Sequence, residues 1–562
     1  MCGMFFCLIS SDSNHCIDQY SCIETLIKNR GPDAYNKCIV HLTERWKVLI
    51  FSSTLWTQGL KPTPQPVKSE NGSLFLWNGD IFFGPDYTDG LSDTEYLFGQ
   101  IENNGIECLL KICGPYSFIY FDSKEKIIWF GRDVIGRHSL LWNLSPHDQL
   151  ILTSVSVKSL QLAEVPSIGL YKIDLQQPQL TIQLHPWSHF PSTLYPDLPN
   201  SVELLNCFSH EVLGDYKTFK WIEGPSTDNS LEYFSVFSEQ SPEVIYTTLL
   251  RDIQLSGMVK NVKTLLFKSI EKRILTQPKH CLGCTDLSEE CSHSRTAICF
   301  SGGLDSTVIA LIASKFVPPN ETIDLFNVAF EKLSSGNICY DVPDRITGRE
   351  SFAELKLLEP ARKWNFVEIN ITLKELQELR EKHIRDLIHP LNSILDDSLG
   401  CALWFAVRGK GIANGKPFYS NSRVVLLGMG ADELFGGYSR HRKEFARGGW
   451  RALGEQLLIE VRNIGKRNLG RDNRVAADHG RQPRTPFLDE RVYTYVDNLP
   501  PWFRTYLEPN VKPGIGDKFL LRLVAWDLGL RHSAFLPKRA FQFGSRIANP
   551  KEKGHLISER LN

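Results

Sequence analysis

Cys2 is the first residue of this chain whose type and place could do chemistry. The sequence opens Met1-Cys2-Gly3-Met4, so removal of the initiator methionine leaves a thiol and a free α-amino group on one residue. Such an amine has a pKa of roughly 7.7–8 and can accept a proton from a neighbouring nucleophile at neutral pH. A nucleophile that carries its own base needs no histidine partner. Attack on an amide builds a tetrahedral oxyanion, and each neutral donor aimed at it contributes about 2.7–4 kcal/mol. Asn78-Gly79 offers two adjacent donors, a side-chain amide and a backbone N–H that glycine lets approach closely. Alone, the same dipeptide reads first as a hairpin turn.

A second reactive pattern lies some three hundred residues on. Ala297-Ile298-Cys299-Phe300 is an apolar run fit for a buried strand, Ser301-Gly302-Gly303-Leu304-Asp305-Ser306 follows, and 307–315 reads as a helix. Strand, glycine-rich turn and helix form a cradle in which backbone N–H groups and a helix N-terminus face phosphate. The spacing is not that of the Walker phosphate loop.

The elements around these residues carry a resemblance. Arg30-Gly31-Pro32-Asp33, Asn78-Gly79-Asp80-Ile81, Ser92-Asp93-Thr94-Glu95, Gly131-Arg132-Asp133 and Gly136-Arg137 together resemble the class II glutamine amidotransferase domain. That resemblance implies an Ntn-hydrolase fold of four layers, α/β/β/α. It puts the nucleophile on Cys2, the oxyanion-hole pair on Asn78 and Gly79, and glutamine contacts on Asp80 and on Asp93, which would hold the substrate ammonium.

The Ser301–Ser306 loop resembles that of ATP pyrophosphatases. With Gly428-Met429-Gly430-Ala431-Asp432-Glu433, Arg484-Thr485-Pro486-Phe487-Leu488-Asp489 and Leu536-Pro537-Lys538-Arg539-Ala540-Phe541, the C-terminal half resembles asparagine synthetase. The likeness spans roughly 1–160 and 295–545. It implies a parallel-sheet α/β synthetase domain using ATP and Mg²⁺, with glutamine and aspartate as substrates. Ser301, Gly302, Gly303 and Ser306 would cradle pyrophosphate, and Phe300, Val328, Leu427 and Gly428 would pack on the nucleotide. Asp305 and Asp432 would face Mg²⁺, and Lys538 would stabilise charge during acyl transfer.

Two departures bear on activity. The family binds the glutamine carboxylate with an arginine after a strand, whereas Phe51 to Gly59 holds no arginine and Arg45 comes too early. Gln58 can donate hydrogen bonds but cannot form a bidentate charged pair. In the synthetase half Met429 stands where the family has a glutamate that acts in adenylate chemistry, and a thioether neither accepts a proton nor binds Mg²⁺ at neutral pH. Two function classes follow: glutamine-dependent, ATP-using amide synthesis on aspartate or another carboxylate, and a pseudoenzyme whose fold serves binding or regulation.

Composition narrows the setting. A length of 562 residues exceeds one core. The expected division is an amidotransferase domain over 1–185, a connecting region over 186–285 punctuated by Pro186, Pro191, Pro196 and Pro199, a synthetase domain over 286–547, and a charged, mobile tail over 548–562. A helix is expected near 243–275. The formal net charge is −1, which favours neither nucleic acid nor membrane, and the arginines of 439–484 read as a solvated helical face. No apolar run approaches the roughly twenty residues of a membrane span. The start lacks the basic region of a signal peptide, and the scattered cysteines show no disulfide framework. A cytoplasmic protein is expected. Cys281-Leu282-Gly283-Cys284 is followed by Cys291 and His293, but a final Cys-x-His spacing is uncommon in closed zinc sites. These four read first as unpaired groups in a loop, with a zinc or redox site as the alternative.

Overall fold

The computed structural model describes residues 2–561 apart from 14–16, 89, 146–148, 190–201, 215–240, 285–290, 292, 335–336, 510 and 550. Of the expected connection over 186–285, residues 190–201, 215–240 and 285, with Pro191, Pro196 and Pro199 among them, therefore lie outside the described residues, as does Met1.

Strict alternation in the first strand sets the N-terminal layers. In Gly3–Ser10 the side chains of Met4, Phe6 and Leu8 enter a core shared with Leu76, Ile119 and Phe130 of a second sheet. Phe5, Cys7 and Ile9 point the other way and pack with Ile23 and Ile27 of helix Ser21–Arg30. This period of two is what a strand buried on both faces requires. The first sheet has six strands and the second seven. On the far side of the second, Phe75 and Trp77 meet Leu97 and Ile101 of helix Asp93–Asn104. The four layers α/β/β/α follow. The second sheet runs beyond residue 185, since Val202–Leu204 pairs in parallel with Ile182–Pro186.

A third sheet of seven strands begins at Thr296–Cys299. Five neighbouring strands are parallel: Trp364–Ile371, Ile323–Phe330, Thr296–Cys299, Val424–Leu426 and Gln482–Arg484. From Thr296–Cys299 the chain first builds outward on one side, then returns to add Val424–Leu426 on the other. That reversal opens a crevice at the strand C-termini, where open α/β sheets bind ligands. The expected helix near 243–275 is two, Pro242–Leu249 and Ile253–Leu275. Leu266 and Ile270 of the longer one join the same core as Val308 and Leu523, so this stretch belongs to the packing of the synthetase half.

Two expectations change here. Arg447 and Arg451 are solvated as expected, but Arg471, Arg474, Arg481 and Arg484 are almost wholly buried. Arg474 pairs with Glu164 and Arg484 with Asp80, across the contact between the two halves. Arg471 pairs with Asp396 and Asp472, and Arg481 donates to Ser420 and Ser422. All four are buried because distant partners satisfy them, a long-range fact that local patterning does not carry. The tail is likewise docked: Ile394 N–H donates to Leu556 C=O at 2.8 Å, and Arg560 pairs with the buried Asp397 at 2.8 Å.

Candidate active sites

Cys2 enters the first strand from a buried position held by the Arg30-Gly31-Pro32-Asp33 segment. Arg30 Nε donates to the Cys2 carbonyl at 3.3 Å, and its Nη groups donate to Ser154 C=O and Asn473 Oδ1, both at 3.1 Å. Asp33 accepts from Trp56 N–H at 2.7 Å and from both Nη groups of Arg423. The segment therefore anchors the nucleophile and ties this half to the other.

Beside the thiol is a cavity of about 20 Å³ lined by Cys2, Gly79 and Asp93 among others. Roughly 10–15 Å³ suffices for a water, so this space has room for a water and not for an amino acid. The protein's own groups occupy the functions that glutamine would need. Gln65 Nε2 donates to Cys2 Sγ at 3.2 Å and to Trp77 C=O at 2.8 Å. Trp77 Nε1 donates to Asp93 Oδ2 at 2.8 Å, and Thr94 N–H donates to Oδ1 at 2.8 Å. Gln58 is spent on Ile81 C=O at 3.2 Å and on the Tyr87 hydroxyl at 2.5 Å. Burial pushes the Cys2 thiol up despite the nearby amino terminus. Burial, reinforced by Asp80, lifts Asp93 to about 6 against its Trp77 and Thr94 donors.

Asn78 and Gly79 close the strand Leu74–Gly79, but only Gly79 lines the cavity. The Asn78 amide donates to Ser117 Oγ at 3.2 Å. Asp80 does not line the cavity either. It forms a bidentate pair with Arg484 at 2.9 and 2.8 Å and accepts from Gln482 at 2.9 Å. Its carboxylate serves the contact between the halves, which is why an aspartate there is buried and satisfied.

The second site sits in the crevice of the parallel sheet and encloses about 530 Å³, within the roughly 300–1,000 Å³ of small-molecule sites. Its floor is the turn from Thr296–Cys299 into helix Leu304–Ala313, whose N-terminus no side chain caps. Its first N–H groups are thus available to an anion. Gly302 has φ +79°, and a Cβ there would lie 2.5 Å from Gly348, so the turn admits only glycine. Apart from Gly302, every residue assigned to the nucleotide lines the cavity: Phe300, Ser301, Gly303, Asp305, Ser306, Val328, Leu427 and Gly428.

Lys538 and Asp432 meet in the same cavity, paired Nζ to Oδ2. Sequence reasoning missed the residue that joins them to the loop. Lys518 Nζ lies 2.6 Å from Asp305 Oδ2 and 2.6 Å from Asp432 Oδ1. It is buried and sits at φ +54°, a conformation uncommon outside glycine that only the backbone reveals. Burial alone would push Asp432 up, but Lys518 and Lys538 outweigh it and hold the carboxylate below its usual range. Asp432 in turn raises Lys538 above an ordinary lysine against its burial. Both therefore stay charged.

Met429 lines this cavity, and so do the carboxylates of Glu433 and Asp344. Glu433 accepts from the Tyr438 hydroxyl at 2.6 Å, and burial together with Asp432 pushes it up. Burial lifts Asp344 to about 7 against Arg539 and Lys538. Glu433 lies inside the Gly428–Glu433 segment and Asp344 lies outside every segment singled out above; the burial of both is what the sequence does not carry. Asp305 Oδ1 is buried with no hydrogen-bond partner. Mg²⁺ is held through one or two carboxylates together with substrate phosphates, so this free oxygen beside Asp432 fits that ion.

Among the described residues no helix is long and apolar enough to cross a membrane. Residues 1–197 match the glutamine amidotransferase domain family, and 292–451 with 445–548 match the asparagine synthase family. Asparagine synthetase domain-containing protein 1 of Gallus gallus is 36% identical over 100% of both chains. The Homo sapiens protein of that name is 37% identical over 95% of this chain and 93% of its own. An asparagine synthetase domain-containing protein of Drosophila melanogaster is 34% identical over 100% of both. With its halves matched in order and its full length aligned, this chain belongs to the family of asparagine synthetase domain-containing proteins.

Proposed function

We propose that this chain is an ATP-dependent ligase that converts a carboxylate, with aspartate the first candidate, into its amide, and that it uses free ammonia in preference to glutamine. The observation that carries this reading is the 530 Å³ crevice in which Asp305, Asp432, Lys518 and Lys538 converge over an uncapped helix N-terminus. A carboxylate oxygen attacks the α-phosphorus, the bond to the β-phosphate oxygen breaks, and pyrophosphate leaves. Ammonia then attacks the acyl carbon, AMP departs, and one proton is released. The helix N-terminus with Ser301 and Ser306 would hold pyrophosphate, and Lys538 would stabilise charge on the acyl phosphate. Mg²⁺ held by Asp305 and Asp432 would neutralise the leaving group's charge.

The second reading, a binding or regulatory protein without turnover, draws on the water-sized space beside Cys2 and on Met429 at the crevice. One experiment separates them: pyrophosphate release from purified full chain, ATP and Mg²⁺ across a panel of carboxylic acids, with ammonia or glutamine. Ammonia-dependent release with one acid supports the ligase. No release with any acid, together with no binding of an ATP analogue by titration calorimetry, overturns it in favour of the second reading.

A further inference from the structure

The loop between helix Ile253–Leu275 and strand Thr296–Cys299 gathers the four groups that local spacing left unpaired. Cys281, Cys284, Cys291 and His293 bring one ligand atom each to within 4.8 Å of one another. The sulfurs of Cys281 and Cys284 are 3.4 Å apart. His293 Nδ1 stands 3.8 Å from Cys281 Sγ, 3.7 Å from Cys284 Sγ and 3.7 Å from Cys291 Sγ. A disulfide is excluded for the first pair, since that bond is about 2.03–2.05 Å.

Hydrogen bonding does not explain the cluster. One ring nitrogen has a single lone pair or a single hydrogen, so it cannot bond three thiols at nearly equal distance. A shared ion at the centre satisfies all four. With Zn–S of about 2.3 Å and Zn–N of about 2.0–2.1 Å, a tetrahedral site places sulfurs about 3.8 Å apart and sulfur and nitrogen about 3.5 Å apart. The Cys281–Cys284 separation and the three sulfur–nitrogen separations lie within a few tenths of an ångström of those values, and all four ligand atoms lie within 4.8 Å of one another. We infer that Cys281, Cys284, Cys291 and His293 hold one zinc ion as a closed structural site. Three thiolates and a neutral imidazole suit Zn²⁺ in both softness and geometry. The three thiols release three protons as the ion binds. The Cys-x-His spacing that argued against a site is accommodated because the fold, and not a single regular element, closes the ring.

The ion's place in the fold gives it a task. Leu282, between the first two ligands, donates its N–H to Asn421 C=O at 2.9 Å and packs with Leu55 and Ala477. A Cβ on Gly283 would lie 2.7 Å from the Asn421 side chain, so the knuckle is pressed against that residue. Next to Cys281, the His280 carbonyl accepts from Arg423 Nε at 2.9 Å, and its ring stacks on Trp56 at 6.2 Å. Arg423 is the residue that clasps Asp33. The zinc loop thus braces the outer side of the Leu55–Gln58 stretch that walls the Cys2 cavity, and it holds the two halves together there.

The test is metal analysis of the full chain, purified under reducing conditions without chelator. One zinc per chain is expected. Zinc-free protein loaded with Co²⁺ should show the ligand-field and thiolate charge-transfer bands of a tetrahedral thiolate site. Cys291→Ser should lose stoichiometric zinc, and Cys22→Ser, an exposed cysteine outside the cluster, should keep it. Because the first two readouts use wild-type protein, a variant that fails to fold leaves them decisive. Folded wild-type chain that takes up neither zinc nor cobalt, or a Cys281–Cys284 disulfide found by peptide mass analysis, overturns the assignment. So does full zinc retention by folded Cys291→Ser.

Discussion

The two candidate sites are made from equally recognisable residues and end in opposite states. The crevice at the parallel sheet encloses about 530 Å³ and the space beside Cys2 about 20 Å³. In the crevice Lys518 and Lys538 pair with Asp305 and Asp432 along the wall of an open volume, and Asp305 keeps an oxygen without a partner. At Cys2 the thiol, Asp93 and Gln58 are each engaged by a neighbour. A site is open to a substrate only while it has room for it and keeps polar atoms to bind it. Glutamine would have to replace Gln65 at the sulfur and Trp77 at the carboxylate, and each exchange forfeits a hydrogen bond already made.

The sharpest way to break the contrast is to damage the open site. Asp305→Asn removes the negative charge that pairs with Lys518 and that would face Mg²⁺. Pyrophosphate release with ammonia should fall about 10²–10³-fold, the usual loss when one preorganised electrostatic group is removed. Circular dichroism and the melting temperature would show whether the variant is folded. A folded variant that retains wild-type release would mean that the chemistry is elsewhere.

Comparing the two nitrogen sources tests the closed site. A carboxylate–arginine pair gains charge-assisted bonds of about 1.5–3 kcal/mol each, and Gln58 supplies none of this. At about 1.4 kcal/mol per tenfold, the missing arginine should raise the glutamine KM roughly ten- to a hundredfold, and ammonia, which bypasses that site, should support amide formation better than glutamine. Equal efficiency from the two sources would show that another cation reaches the glutamine carboxylate.

Much of this arrangement is legible in the sequence because it is local. The alternating apolar residues of 3–10 dictate a two-faced strand, and Ser301–Ser306 dictates the turn into a helix. What is not legible depends on partners hundreds of residues away. Arg484 reads as a solvated charge until Asp80 meets it, and Asp80 reads as a substrate contact until Arg484 occupies it. Lys518 has no motif around it at all; its role comes from a left-handed backbone that aims one amine at two carboxylates. The cluster at 281–293 was visible as residue types but not as a site, because sequence spacing says little about how a loop folds back.

A pH profile separates the two sites further. Asp93 must be ionised to hold an ammonium group, and its pKa of about 6 puts that ionisation inside the assay range. Glutamine kcat/KM should rise as pH increases through about 6 and be about tenfold below its plateau at pH 5. Asp93→Asn should abolish that limb. The linked effect on stability has the opposite sign. A carboxyl raised above its unfolded value of about 3.9 favours the fold most below that pH, and the contribution is lost as pH rises through about 6. A profile flat between pH 5 and 7 would remove Asp93 from glutamine binding.

The smallest expected effect probes the indole that occupies Asp93. Trp77→Phe keeps an aromatic ring against Phe75 and Tyr116 but removes the Nε1 donor 2.8 Å from Asp93 Oδ2. In the free protein the carboxylate is left short of a partner in a buried place, at a cost of about 1–3 kcal/mol in stability. Bound glutamine supplies the missing donor through its ammonium group. Release from competition with one hydrogen bond of net ~1 kcal/mol corresponds to about fivefold tighter glutamine binding. The indole donor also lowers the Asp93 pKa, so its removal raises that pKa and the comparison belongs at pH 8, where both proteins are ionised. The variant should therefore melt earlier than wild type yet gain more thermal protection from glutamine. Weaker glutamine binding by folded Trp77→Phe would show instead that the indole orients Asp93 for its ligand, and the closed state of this site would then need a different cause.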